Sequence, residues 1–357
     1  MSARDRAHGT SAQQRRAVTP QMATVTIRDV AALAEVSPAT VSRVLNADPR
    51  VAPALRERVH GAVEKLGYRP NSQARSLRTR ATRVIGLIIA DIQNPFFTAL
   101  ARGVEDAASE RDYSVVLANS DENLDKEQRY LEVAAGERMA GVVLAPSSTA
   151  HSRIGTLTDR GIPVVVIDRR LRSTDVDSVL VNNRQAAKAA VDHLIAAGCR
   201  RIAMITGPSD ASTATGRLSG YRAALRGAGI EPDPALEICG DYRVEGGRAA
   251  VRSVLALRDR PDGLFVGNNL MMVGALHALA DTSVTFPADI LLAGFDEMSW
   301  AGFAPPITLV EQPSYEIGRR ATELVLRRVA GEVFPAQSIV LPANLRIRES
   351  THRIVVA

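Results

Sequence analysis

Two helix start signals crowd into one stretch, Thr26 to Asn46, TIRDVAALAEVSPATVSRVLN, and they confine this part of the chain to two short helices joined by a tight turn. Thr26 is a good N-cap, and Asp29 three residues on can return a hydrogen bond to its backbone. Ile27, Val30, Ala31 and Ala34 recur at i, i+3, i+4 and i+7, an apolar stripe opposite Arg28, Asp29 and Glu35. Ser37 then caps a second helix, with Pro38 at its first position, where a missing N–H costs nothing. Val41, Val44 and Leu45 point inward. Pro38, Ala39, Thr40, Ser42, Arg43 and Asn46 stay outward as a small polar face with one guanidinium. That face fits a DNA major groove, because a helix-turn-helix sets its second helix against base edges and Arg pairs bidentately with guanine. Taken alone, the two helices leave an ordinary helical hairpin as the lesser alternative, because the helix-turn-helix pattern is degenerate.

The residues that follow favour the first reading. A third amphipathic helix, roughly Pro53 to Leu66, offers Val59, Ala62, Val63 and Leu66 to close a three-helix core, and Gly67 sits where a left-handed C-terminal residue belongs. Next comes YRPNSQARSLR. Asn71 can cap a short helix after Pro70, with Ala74 and Leu77 on one side and Arg75 and Arg78 beside them. Isolated helices shorter than about 12 residues are marginal in water, so this segment orders only when something fixes it.

Charge is spread unevenly in the same sense. Residues 1–83 carry 15 Lys and Arg against 6 Asp and Glu, whereas residues 84–357 carry 29 against 33, so the net charge of +5 hides a basic head. A polyanion is the expected partner of that head. Residues 1–24 lack periodicity and an apolar run, and read as a mildly basic disordered tail with no signal peptide. With no run of 18 apolar residues there is no membrane span, and the cytoplasm is the expected location. Cys199 and Cys239 stand apart without CxxC spacing, as expected of buried free thiols; no metal or cofactor is called for.

From Val84 the pattern changes to short β-rich runs separated by helical segments: VIGLIIAD, SVVLAN, GVVLAP, PVVVID and SVLVNN, then RIAMIT, LEICGD, GLFVGN and ILLAGF. Continuous apolar strands with helical crossovers predict parallel sheets covered on both faces, here two doubly wound halves. Ligands of such sheets sit at the carboxyl ends of strands. Those ends offer Asp91, Asn94, Phe96, Phe97, Ser147, Asp168 and Arg169 in the first half and Arg217, Tyr242, Asn268, Asn269 and Asp296 in the second. Carboxylates, amides and guanidiniums beside aromatic faces suit a polyhydroxylated ligand.

The strings VSPATVSRVLN and GYRPNSQARSL resemble the headpiece and hinge of the LacI/GalR (lactose/galactose repressor) family of bacterial transcription regulators, and the resemblance extends from Val25 to about Arg348. It implies a small all-α helix-turn-helix headpiece (25–70), a hinge helix (71–82) and an α/β periplasmic-binding-protein-like core (83–350) of two doubly wound parallel-sheet subdomains. Subdomain N would take about 83–183 and 313–341, and subdomain C about 184–312 and 342–350. The DNA-contacting candidates are then Thr26, Ser37, Pro38, Ala39, Thr40, Ser42, Arg43, Asn46, Tyr68, Asn71, Ala74, Arg75 and Leu77, the last matching the family's wedge into the minor groove. The effector-binding candidates are Asp91, Phe96, Phe97, Ser147, Asp168, Arg169, Arg217, Tyr242, Asn268, Asp296 and Gln312. The resemblance further implies a homodimer on a palindromic double-stranded operator, with a small metabolite, most often a sugar, in the cleft. Glu35 stands where the family often has Gly, and Asn183 and Asn269 where a carboxylate is more usual.

An enzyme is disfavoured: GxxxxGK[ST], GxSxG and HExxH are all missing, no GxGxxG opens a helix, and the six histidines do not cluster, so no catalytic residue is expected. The remaining alternative is a solute-binding protein, which shares the two-lobed core but needs an export signal and no headpiece.

Overall fold

The start signals at Thr26 and Ser37 produce helices α1 (Ile27–Leu33) and α2 (Pro38–Leu45), and α3 (Pro53–Leu66) follows, ending on left-handed Gly67 at φ 60°. The computed structural model describes residues 25–45, 48–68, 82–172, 175–297 and 305–353. Asn46, Asn71, Ala74, Arg75, Leu77, the hinge helix and the N-terminal tail lie outside them. The chain divides into two units, Met1–Arg78 and Thr79–Ala357.

In the first unit, Val30, Ala31, Ala34, Val41, Val44, Val51, Val59 and Ala62 form one buried cluster that fastens the three helices together. Glu35 occupies the turn in a left-handed conformation at φ 49°, which costs a non-glycine residue about 1–2 kcal/mol. A cross-helix clamp offsets it. Arg58 Nη2 donates to the Ala34 carbonyl at 2.6 Å and to Glu35 Oε2 at 3.0 Å, so the glutamate fixes α3 against the turn.

The second unit holds two six-stranded sheets. Strands β1 (Val84–Ile89), β2 (Ser114–Asn119), β3 (Gly141–Leu144), β4 (Val164–Ile167), β5 (Asp177–Val181) and β11 (Ser338–Leu341) make the first, in the order β11-β5-β4-β3-β1-β2, all parallel. Strands β6 (Ile202–Thr206), β7 (Glu237–Cys239), β8 (Gly263–Val266), β9 (Leu291–Phe295), β10 (Thr308–Glu311) and β12 (Asn344–Arg346) make the second, in the order β12-β10-β9-β8-β6-β7. Here β12 runs antiparallel to β10, a departure from the all-parallel expectation. The chain reaches β12 from β11 of the other sheet, after α11 and β11 have intervened since β10, so no crossover within the second sheet fixes the direction of β12.

Helices cover both faces of each sheet. In the first lobe α4 (Pro95–Ser109) and α11 (Ser314–Val329) lie on one face, with α5 (Leu124–Gly136) and α6 (Gly155–Thr158) on the other; in the second, α7 (Asn183–Ala196) and α8 (Ser212–Gly227) oppose α9 (Val244–Leu255) and α10 (Asn269–Ala280). Each lobe therefore carries two apolar layers. The chain passes between lobes three times, after β5, after β10 and after β11, so α11 and β11 complete the first lobe from the far end of the sequence. No helix among the described residues is long and apolar enough to cross a membrane.

Helices α4 and α11 meet backbone to backbone. A methyl group at Gly103 would collide with the Tyr315 carbonyl, and one at Gly318 with the Leu100 carbonyl. Replacing Gly103 with Ala should therefore destabilise the core by about 1–3 kcal/mol, as overpacking does, despite the better helix propensity of Ala. Calorimetric melting of the full chain reads this as a lowered core transition, while Gly61→Ala, where an added methyl group meets nothing within 4 Å, leaves that transition in place.

Candidate functional site

The headpiece candidates divide by what their side chains already do. Thr26 Oγ1 and its backbone N–H both donate to Asp29 Oδ2, at 2.8 and 2.7 Å, which closes the start of α1 and holds the Asp29 carboxyl below its ordinary range. Ser37 Oγ accepts from Thr40 N at 3.1 Å and bonds the Thr40 hydroxyl at 2.9 Å, so this pair shapes the start of α2. Pro38, Ala39 and Arg43 are exposed on the outer face, and Ser42 is half-buried beside them. Tyr68 packs half-buried against the three-helix cluster.

In the second unit, strand ends from both lobes converge on one small cavity. It is lined by Asp91, Asn94, Phe96, Phe97, Glu122, Asp168, Arg169, Thr213, Arg217, Asp241, Tyr242, Arg243, Asn268, Asp296 and Gln312. Ten of the eleven candidates from the sequence are in that lining. Ser147 is not: its hydroxyl donates to Ser120 Oγ at 3.1 Å, and its carbonyl accepts from Arg169 at 3.1 Å, so it braces an arginine from behind. Glu122, Thr213, Asp241 and Arg243 line the cavity without having been singled out. Glu122 sits just past the end of β2 and Asp241 and Arg243 just past β7, two strand ends that the list of candidates passed over or sampled only at Tyr242.

Backbone strain gathers at the same place. Among the described residues eight non-glycine residues have positive φ, and four of them, Glu122, Asp168, Tyr242 and Asp296, line the cavity. Each turns sharply as its strand ends and so aims its side chain across the sheet edge. Strain of this kind persists only where the surroundings over-determine it. Gly207 leaves room for the Tyr242 ring, which a Cβ there would strike.

Both guanidiniums at the centre are buried and paired. Arg169 makes a fork-to-fork pair with Glu122, at 2.6 and 2.5 Å, and donates to the Pro146 carbonyl at 3.2 Å. Arg217 donates to Asn183 Oδ1 at 2.7 Å and to the Gly267 carbonyl, lies 3.9 Å from Asp296, and stacks over the Phe295 ring at 3.7 Å. Asn183 and Asn269, the two departures noted in the sequence, now have distinct roles. Asn183 holds Arg217, and Asn269 Nδ2 donates across the cleft to Asn94 Oδ1 at 2.9 Å. Asn268 caps α10 through Met271 N and also donates to the Tyr242 carbonyl, so it serves structure and cavity at once.

Other contacts bridge the lobes. Arg243 reaches Asp121 at 3.0 Å, Arg170 N donates to Ser212 Oγ at 2.9 Å, and Ser212 N donates to Thr149 Oγ1 at 3.0 Å. The space among the lining residues is about 30 Å³, enough for about one or two water molecules, and these contacts tie the lobes together around it. Alongside it runs an open groove of about 1180 Å³, bordered by Val115, Leu117 and Tyr315 and sharing Phe96, Asp296 and Gln312 with the cavity.

Residues 26–71 match the model of the bacterial regulatory proteins of the lacI family, and residues 191–351 match that of the periplasmic binding protein-like domain. The chain is 37% identical to the ribose operon repressor of Escherichia coli strain K12, over 91% of this chain and 99% of the relative. A complex of the transcriptional regulator CelR with cellobiose shares 34% identity at a TM-score of 0.70, covering 91% and 99% of the two chains. The Lac repressor dimer bound to operator and an anti-inducer superposes at a TM-score of 0.82 with 25% identity, covering 92% and 99%.

Burial pushes the Asp168 carboxyl up to about 6, with the neighbouring Arg169 and Arg217 charges holding it from rising further; burial raises Asp296 as well. A raised carboxyl favours the fold when protonated, so its contribution is complete below the unfolded value of 3.8 and lost as pH rises through about 6. At pH 7 the ionised group costs about 3 kcal/mol. Asp168→Asn should therefore raise the melting temperature of the core at pH 7 and flatten its decline between pH 5 and 7, read by thermal denaturation across that range; an unchanged slope would reject the assignment.

Proposed function

This chain belongs to the LacI family of bacterial regulatory proteins and is a DNA-binding transcriptional repressor under effector control, not an enzyme; we propose that it acts as a homodimer on a palindromic operator and that its effector is a sugar held between the two lobes. The observation that carries this reading is the cavity itself. Carboxylates, amides and guanidiniums from both lobes converge there beside the rings of Phe96, Phe97 and Tyr242, as a polyhydroxylated ring requires, with polar groups for its hydroxyls and flat apolar faces for its C–H bonds. The names of two similar proteins, one a ribose operon repressor and one bound to cellobiose, support the same ligand class.

On the DNA side, Pro38, Ala39, Thr40, Ser42 and Arg43 on the outward face of α2 are the proposed base-reading surface, with Arg43 as the guanine reader. Thr26, Ser37 and Tyr68 would act at its margin, since their side chains already serve caps or the core. A symmetric pair of headpieces demands a two-fold related pair of half-sites. The second copy has a natural seat on the first lobe, where edge strand β2 presents Val116 and Leu117 to solvent and would otherwise be a template for uncontrolled pairing. Control follows from lobe closure: effector and operator each favour one arrangement of the dimer, so each changes the other's affinity by the same factor.

Two measurements test the proposal. Pentoses, hexoses, sugar acids and nucleosides are screened by thermal shift on the full chain, where a cleft ligand raises the melting temperature by mass action; a response confined to nucleosides would remove the sugar assignment. In gel shifts with DNA from upstream of its own gene, Arg43→Ala should lose about 1–3 kcal/mol on the best operator and relax selectivity at one base position. Retained selectivity would exclude Arg43 as the guanine reader.

A further inference from the structure

An anionic ligand, a phosphate ester or a sugar acid, is recognised by a guanidinium that offers its two-pronged fork to the anion. Arg169 is the buried arginine whose head group reaches the cavity from the first lobe, and its end-on fork is already paired with a carboxylate. Both Nη atoms are held by the Glu122 carboxylate, and Nη1 also donates to the Pro146 and Ser147 carbonyls. Nε, on the side edge, is buried 3.6 Å from Asp168 Oδ2 and has no hydrogen-bond partner among the described residues, so that edge already faces a carboxylate of the same lobe. The Gln312 side chain supplies the complementary case: its amide nitrogen donates to Asp296, and its buried Oε1 has no donor among those residues. A buried N–H beside a carboxylate and a buried amide oxygen, on two residues that line the cavity, match the acceptor and donor of neutral hydroxyls. They do not match a dianion.

The other guanidiniums have carboxylates beside them too: Arg217, held by Asn183 and the Gly267 carbonyl, lies 3.9 Å from Asp296, and Arg243 pairs with Asp121. Three guanidiniums and five carboxyls line the cavity, so an incoming anion meets an excess of like charge. We infer that Glu122 is a specificity-determining residue that neutralises Arg169 and restricts the effector to uncharged polyhydroxyl compounds, excluding phosphorylated and carboxylated sugars. Its position is held by the backbone: Glu122 and Asp121 both sit in left-handed conformations, and Glu122 N donates to the Ala90 carbonyl at 2.9 Å, which turns the carboxylate back towards Arg169. The inference rests on the proposal that this cavity is the effector site.

The test compares the full-length chain with Glu122→Gln and Glu122→Asp by isothermal titration with a panel of pentoses and hexoses, their phosphate esters and their aldonic acids. Glutamine can hold one prong of Arg169 but not its charge, whereas aspartate keeps the charge. The wild-type protein and Glu122→Asp should bind a neutral sugar and prefer it to its phosphate ester and its acid. In Glu122→Gln the preference should move towards the anion by about tenfold or more, the scale of a desolvated charge pair. A wild-type protein that binds an anionic sugar more tightly than the neutral parent overturns the inference, whether or not Glu122→Gln folds. So does an anion-to-neutral ratio that Glu122→Gln leaves unmoved, and in both cases the cavity stands as a sugar site. If none of the three proteins binds any member of the panel, the inference falls together with the site assignment beneath it.

Discussion

Two guanidiniums buried between the lobes set the terms for everything around them. Removing an arginine from water costs several kcal/mol unless its hydrogen bonds are replaced with good geometry. Here each lobe replaces them for its own arginine. Arg169 is paired through its Nη atoms with Glu122 and carbonyls of the first lobe, and Arg217 is held by Asn183 and Gly267 beside Asp296 of the second. What passes between lobes is weaker: an amide pair between Asn94 and Asn269, the part-exposed ion pair of Arg243 with Asp121, and the contacts of Ser212. Opening the cleft therefore parts only an ion pair that water already reaches and strands neither buried guanidinium, so the two lobes can separate at modest cost. That division of labour is what a sensor needs, since a ligand can shift an equilibrium only by its difference in affinity for the two states.

Much of this architecture was legible in the residues. Caps at Thr26 and Ser37, the left-handed stop at Gly67 and the apolar runs after Val84 report local preferences that tertiary packing did not overturn. Strand-end logic also led to most of the cavity lining. It passed over Glu122 and Arg243 because it weighed strand ends by the residues immediately beyond them, whereas left-handed turns at Asp121, Glu122 and Tyr242 carry the chain back and bring later residues into line. Ser147 failed for a related reason. Its position was right, but Glu127 and Ser120 compete for its backbone and hydroxyl from behind the sheet, and a sequence carries no mark of that competition. The antiparallel β12 was illegible too, because a strand of three residues has too little period to read.

The order in which the chain visits its lobes bears on how the protein is made. Ile317, Ala321, Leu324 and Val325 of α11 belong to the buried layer of the first lobe, and β11 closes its sheet. A ribosome that has already delivered β1 to β5 must add more than a hundred further residues before that layer can be sealed, so the lobe begun first is among the last to be finished. The three-helix headpiece has no such debt to later sequence, being closed by residues from Val30 to Ala62. During synthesis the part that grips DNA is thus ready while the part that governs it is still incomplete, and a chain cut short before α11 would keep its headpiece sequence but lack a sealed first lobe.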